Sequence, residues 1–441
     1  MSISKHISRR DKLARKIGQD SIAIISSGKQ AKRNADVNYR FRPNSSFYYL
    51  TGSNDPDSTL VIVGGKKAEA ILFNYTPNIE EERWTGPCLG QSGAMQILKM
   101  QAAYSTTELT SLLPKLLQGK SNIYYPLGDD MAIEPLILKI IADLKTKTRS
   151  GTIYPQQLND LNTILSEMRL FKDTYEIAAI QKACDISIKA HQRAMHVCST
   201  LHFEHQLEAE LLYVFAQNGC KHQAYDAIVA AGHNACTLHY TANNSPLNHG
   251  ELVLIDAACE YENYAADITR TFPINGIFSP RQRDLYEIVL YAQRDTISKI
   301  KPGISWSILQ KNIVKIMTTG LRDLGILKGS LDSLLDNHAY KPFYMHSSGH
   351  WLGLDVHDVG LYKQGEHWRK LAPNMIFTVE PGLYITKNPD VDEKWWNIGI
   401  RIEDDILVTE NSHINLTAAL PATIKEIEAI LCSKSYGKDA S

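Results

Sequence analysis

VLIDAACEYENYAADITRTFP spans Val253–Pro273. An apolar run there ends on an acid, Asp256, and eleven residues on Asp267 sits between Ala266 and Ile268. A carboxylate in such company is costly unless it is paired, hydrogen-bonded or bound to a cation. The intervening AACEYENY has the length of a hairpin with a modest loop, which would bring the two acids side by side. Held together they repel, and one keeps a proton unless a cation neutralises them. Strand-end acids in turns or caps are the plain alternative, and this stretch alone leaves the two readings level.

The segments around it set the fold class. DAIVAAG, LVLIDAA, AADITRTF, MIFTVEPGLYI and IGIRIEDDILVTE each read as a strand, and they come in hairpin-like groups between helices. That pattern predicts an α+β domain with a largely antiparallel sheet. Its first helix is predicted in MRLFKDTYEIAAIQKACDISIKAHQRAM, where Asp173 and Glu176 form a capping box and Ile177, Ile180, Cys184 and Ile188 recur at helical spacing. EHQLEAELLYVFAQNG should be a second helix stopped at Asn218-Gly219. Ser279, Pro280 and Gln282 start a third, and SWSILQKNIVKIMTTGLRDLGIL reads as a helix pair or a helix with a late break. Upstream, SIAIISSG, STLVIVGG and SNIYYPLG read as strands, and QILKMQAAYSTTELTSLLPKLLQG contains an amphipathic helix. An α/β domain over 1–173 and an α+β domain over 174–441 are therefore expected.

Composition narrows the function. A net charge of −1 over 441 residues leaves no electrostatic footprint for nucleic acid or an anionic membrane. No run of eighteen apolar residues occurs, so no membrane span is expected. The opening MSISKHISRRDKLARKIGQD is basic and polar, suits a short amphipathic helix and lacks a signal peptide's apolar core. Seven scattered cysteines without a CxxC read as reduced, mostly buried thiols of a cytoplasmic protein.

Further acids and histidines follow the opening pair. Glu380 ends an apolar run, and Pro381 biases it toward an extended backbone. In IGIRIEDDILVTE, Ile398, Ile400 and Ile402 alternate with Arg401 and Glu403, so Glu403 and Arg401 share a polar face. A solvated strand face with a weak ion pair would explain these two alone. MHSSGHWLGLDVHDVG carries His346, His350 and His357 among glycines that argue for loops, and His239 precedes a polar loop. The inventory is Asp256, Asp267, His350, Glu380 and Glu403, with His239, His357 and Arg401 nearby. Four carboxylates balance two divalent cations, and an oxygen-rich set with one imidazole suits Mn²⁺ better than a structural zinc.

Those five residues occur in the order and approximate spacing of the dinuclear metallopeptidases with the pita-bread fold, which the chain resembles. His357 follows His350 by seven residues and Pro381-Gly382 follow Glu380, as in that family. HSSGHWLGLDVHDVG, TVEPGLYI and GIRIEDDILVTE are similar to its aminopeptidase P and prolidase branch, and RFRPNSSFYYLTG extends the likeness into the first domain. The resemblance implies a creatinase-type α/β domain followed by a pita-bread catalytic domain with a curved, largely antiparallel sheet. It implies two divalent ions, manganese foremost, with Asp267 and Glu403 bridging, Asp256 completing one shell, and His350 with Glu380 the other. It makes His357, and less directly His239, the stabilisers of charge on the scissile carbonyl, and Glu380 the carrier of a proton to the leaving nitrogen. His239, His357, Tyr384 and Arg401 would surround the substrate, although Arg401 equally suits an ion-pair role behind the ligands. Trp84 would pack structurally or reach a substrate site, its own or a neighbouring subunit's. The implied activity removes the N-terminal residue from peptides with proline second, in a homo-oligomer (tetramer or dimer). A prolidase confined to X-Pro dipeptides is the alternative, and the complete ligand set argues against a non-catalytic binding protein of this fold.

Overall fold

The strand Ser21–Ser26 is apolar on both faces and buried along nearly its whole length. Such a strand belongs at the centre of a sheet covered on both sides. In the computed structural model, which describes residues 3–129 and 133–433, it does so. The six-stranded sheet runs Ala102–Ser105, Glu69–Asn74, Thr59–Val63, Ser21–Ser26, Asn122–Tyr125 and Gln157–Asp160. Ser21–Ser26 pairs antiparallel with Thr59–Val63 and parallel with Asn122–Tyr125. Ile22, Ile24, Val61, Ile71, Phe73 and Ile123 pack under Leu113 and Leu117 of the helix Leu109–Leu117 and under Ile137 and Ile140 of the helix Ile133–Lys145. The basic opening segment is the helix Ile3–Ile17, which buries Leu13, Ala14 and Ile17. Contacts divide the chain into two compact units, Met1–Met168 and Arg169–Ser441.

The second unit opens on the helix Thr174–Val197, capped by Asp173 and Glu176, with Ile180, Cys184 and Ile188 on its buried face. The helix Glu204–Gln217 stops at Asn218-Gly219, and the helix Pro280–Ser298 starts at its Ser279 and Gln282 capping box but ends before Pro302-Gly303. Ser307–Asp323 is one continuous helix, neither paired nor broken, because the apolar stripe of Leu309, Ile313, Met317 and Leu321 runs unbroken through Gly320.

The antiparallel pairing is present, but two of the expected strands are each two. MIFTVEPGLYI splits into Ile376–Val379 and Gly382–Ile385, and IGIRIEDDILVTE splits into Ile398–Arg401 and Asp404–Val408. Val379 pairs with Asp404 on one side of the bend and Gly382 with Arg401 on the other, in different sheets. Pro381 has no N–H to continue the ladder. Glu380 and Glu403 therefore stand opposite one another at a shared bend, freed from strand alternation.

The opening stretch contains the hairpin its length suggests. Glu260–Tyr261 pairs with Tyr264–Ala265 around Glu262 and Asn263, both at positive φ as a tight two-residue turn demands. Beneath it Leu252–Asp256 pairs with Thr269–Pro273 and with Ile228–Ala231. Asp267 falls outside the strand: its N–H donates to the Asp405 carboxylate at 3.0 Å instead of a ladder partner. Among the described residues no helix is long and apolar enough to cross a membrane.

Candidate active site

Asp256 ends its strand opposite Thr269, and Glu403 donates its N–H to Thr269 O at 3.1 Å. Thr269 thus ties together the ends of two elements that carry acids. Asp256, Asp267 and Glu403 are buried, while His350 and Glu380 are partly exposed. His350 is aimed by its neighbours: its N–H donates to Thr378 Oγ1 at 3.1 Å, and Nδ1–H donates to Trp351 O at 3.1 Å. That leaves Nε2 facing Asp267 Oδ2 at 3.2 Å and Glu380 Oε1 at 3.7 Å. Asp267, His350 and Glu403 each offer one ligand atom, and these atoms lie within 4.8 Å of one another.

The electrostatics fit a cation. Burial and the carboxylates of Asp267, Glu380 and Asp256 push Glu403 well above the usual range. Burial pushes Glu380 up to about 7, with Asp267 and Asp256 adding to it against His350 and Arg401. Asp267 is raised by burial too, with the charge of Asp256 behind it. Burial opposes a charged His350, but the hydrogen bond and charge of Asp267, with Glu380, bring it up to about 9. Without a metal, protons are what relieves this crowding. A divalent cation relieves it directly, and the oxygen-rich donor set with one imidazole matches such an ion.

Supporting groups surround the acids. Tyr225 OH donates to Asp256 Oδ1 at 2.6 Å and Arg401 Nη2 donates to Oδ2 at 2.6 Å. Arg401 also reaches Thr269 Oγ1 through Nε and Tyr384 OH through Nη1, and the Thr269 hydroxyl donates to Glu403 Oε2 at 2.7 Å. On the far side of Glu403, buried Arg270 donates to its backbone carbonyl at 2.7 Å and pairs with Asp404.

The acids open into a cavity of about 800 Å³. His239, His346, His350, His357, Glu380 and Arg401 line it together with the acids, and Trp306, Tyr362 and Trp368 supply aromatic surface. His357 lies against His350, ring centres 4.2 Å apart, and burial with the neighbouring His350 cation holds its own pKa down. Tyr384, expected beside the substrate, is fully buried and off the cavity wall: it packs with Ile228, Ala230 and Leu254 and hydrogen-bonds His346 and Arg401. Trp84 belongs to the first unit, on the helix Ile79–Thr85, and is 89% exposed. Tyr225, Thr269 and the aromatic wall were not singled out from the sequence. An aromatic before a strand and a threonine inside one look like ordinary packing, and only the fold aims their hydroxyls at acids.

Buried carboxylates around an imidazole at the end of a two-stranded bend define a metallohydrolase site, and the chain belongs to metallopeptidase family M24, whose sequence pattern matches residues 178–410. The aminopeptidase P N-terminal domain matches residues 6–124. The chain is 41% identical to Xaa-Pro aminopeptidase of Escherichia coli over 425 residues, 96% of each chain. It is 33% identical to human Xaa-Pro aminopeptidase 3, covering 95% of this chain and 82% of that one. The fold superposes on the aminopeptidase PepP of Pseudomonas aeruginosa with a TM-score of 0.95 at 42% identity, covering 98% of both chains. It matches E. coli aminopeptidase P bound to the inhibitor Pro-Leu with a TM-score of 0.94 at 41% identity, again over 98% of both. The second unit thus has the pita-bread fold and the first the aminopeptidase P N-terminal fold.

Proposed function

We propose that this metallopeptidase is an Xaa-Pro aminopeptidase, removing the N-terminal residue from peptides whose second residue is proline. The observation that carries the reading is the cluster of Asp267, His350 and Glu403, with Asp256 and Glu380 beside it, at the floor of a cavity walled by histidines and aromatic rings. Asp267, His350 and Glu403, with Asp256 and Glu380 beside them, would hold two divalent cations. The oxygen-rich set favours manganese. Bound there, the cations supply an acidified water and Lewis-acid polarisation of the scissile carbonyl.

The chain's own residues supply the rest. Glu380, on the cavity beside His350, is placed to take a proton from the attacking water and pass it to the proline nitrogen. His357, on the cavity wall against His350, is placed to donate to the oxygen that gains charge, and His239 lines the same cavity. A prolyl nitrogen has no N–H to dock, so recognition must come from the ring, and the aromatic surface of Trp306, Tyr362 and Trp368 suits it. Arg401 and Tyr384 orient ligands rather than touch substrate on this reading. The metallopeptidase domain is taken as residues 174–441, after an N-terminal α/β domain of 1–173. A cytoplasmic homo-oligomer, dimer or tetramer, is part of the same proposal and rests on the family resemblance.

The test is a peptide series, X-Pro, X-Pro-Y and X-Ala-Y, with Mn²⁺ and with chelator, alongside metal analysis of Asp267→Ala and Glu403→Ala. Expected are cleavage of X-Pro-Y only with metal, and joint loss of metal and turnover in both variants. Hydrolysis confined to the dipeptide would overturn the reading in favour of a prolidase. Full turnover by a metal-free variant would sink the mechanism.

A further inference from the structure

Two cysteines outside the acid cluster meet in space. The Cys220 and Cys259 sulfurs lie 3.3 Å apart, although 39 residues separate them in the chain. Cys220 is half-buried and reachable from solvent, whereas Cys259 is fully buried. The fold fixes both. The helix Glu204–Gln217 ends in a glycine cap, with Gly219 at φ 78°. Gly219 N–H donates to Ala216 O and Cys220 N–H to Phe215 O, which places Cys220 at a defined point past the helix end. Cys259 is held by its N–H to Ser187 Oγ at 3.1 Å and by its antiparallel bridge to Gln223. The bridge is extended by Ala224 N–H to Ala258 O and Glu260 N–H to His222 O. The two thiols therefore sit across two paired backbone segments. One leads to Tyr225 and the other from Asp256, which are themselves hydrogen-bonded.

We propose that Cys220 and Cys259 form a thiol modification site, oxidised by hydroperoxides to a disulfide that clamps the segment carrying Tyr225 to the segment following Asp256. The Cys220 thiolate attacks the outer peroxide oxygen. The O–O bond breaks, the alcohol or water leaves, and Cys220 becomes a sulfenic acid. Cys259 sulfur then attacks the Cys220 sulfur, its proton leaves with the hydroxyl as water, and the S–S bond closes. Two thiols and one hydroperoxide give one disulfide, one alcohol (or water) and one water, with two electrons passed from sulfur to oxygen. A disulfide needs about 2.05 Å between the sulfurs, so the pair has only about 1.3 Å to close. The neighbouring Cys259 thiol above all, and then Lys182, hold the Cys220 thiol below its ordinary value against burial and Glu260. That assigns the attacking role to the more accessible sulfur. Cys88, Cys236 and Cys432, the other thiols that are not fully buried, have no sulfur partner among the described contacts.

The test uses the full-length, metal-loaded protein treated with hydrogen peroxide, followed by proteolysis and mass spectrometry without reduction. A Cys220–Cys259 linked peptide, 2 Da lighter than the sum of the two and abolished by dithiothreitol, is expected. In Cys259→Ser, dimedone should label Cys220 at least tenfold more than in wild type, where the resolving thiol removes the sulfenic acid. Recovery of both peptides unlinked from oxidised wild-type protein would overturn the proposal. So would a cross-link of Cys220 to any other cysteine. Wild-type peptide mapping decides the matter even if Cys259→Ser fails to fold.

Discussion

Arg401 holds Asp256 through a 2.6 Å hydrogen bond, both buried, while its other nitrogens reach Tyr384 and Thr269. One planar fork thus orients a carboxylate, a phenol and the threonine that feeds Glu403. Lysine keeps the charge but cannot serve three acceptors in that geometry. Arg401→Lys should weaken metal retention and kcat about 10- to 100-fold, the usual effect of losing a group that orients a ligand. Metal titration with KM followed separately checks this. A change in KM alone, with metal affinity intact, would return Arg401 to substrate binding.

Asp358, next to His357 in the chain, is buried between Arg169 at 2.5 Å and Lys172 at 3.0 Å. Both cations belong to the segment leading into the helix Thr174–Val197, so an ion cluster anchors the loop that presents His357. Asp358→Asn leaves buried Lys172 without this anion and Arg169 with Asp355 as its remaining acid, and should cost about 3–5 kcal/mol in unfolding free energy. Denaturant titration of the second unit's transition measures it, and a loss below 1 kcal/mol would refute the anchoring role.

Gly349 precedes His350 at a close backbone approach. A Cβ there would lie 1.9 Å from Thr378 O, which is backbone and cannot swing away. Gly349→Ala should push the His350 loop off the strand Ile376–Val379, break the His350 N–H to Thr378 Oγ1 bond and cost about 3 kcal/mol or more. Thermal unfolding and metal content should fall together, and a variant as stable and as metal-rich as wild type would contradict the geometry.

Two buried imidazoles that do not line the cavity make the fold acid-sensitive. Burial brings His6 and His191 down to about 4, each with a ring N–H donating to a backbone carbonyl, Tyr49 and Ala257 respectively. Their folded values lie below the unfolded value of about 6.5. Between the two the unfolded chain binds more protons, so the stability each contributes is complete above pH ~6.5 and lost as pH falls toward 4. The full loss is about 3 kcal/mol per residue. His191→Gln keeps a donor for Ala257 without titrating. Its unfolding free energy should therefore be flatter than wild type between pH 6.5 and 4.5, and parallel curves would disprove the assignment.

Much of this was legible along the chain. Helix starts at Asp173 and Ser279 could be read because capping is local: the side chain that stops the fraying is three residues from the N–H it satisfies. Acids in apolar runs were conspicuous because burying charge is costly wherever it occurs, which singled out Asp256, Asp267 and Glu380, whereas Glu403 alone read as part of a polar strand face. Strand breaks at Glu380 and Glu403 were not legible, because a strand that changes sheets keeps its alternation up to the bend. The family resemblance put Tyr384 beside the substrate, and only packing turns it behind the wall.

The sequence by itself determined which residues carry the charge and where its local elements begin, since both follow from side-chain chemistry acting over a few residues. The tertiary structure alone decided which way those charges face. The shared bend at Glu380 and Glu403 joins two different sheets, and the fork of Arg401 reaches Asp256 across 145 residues of chain. No period or cap encodes them, because their geometry exists only once the strands have found each other.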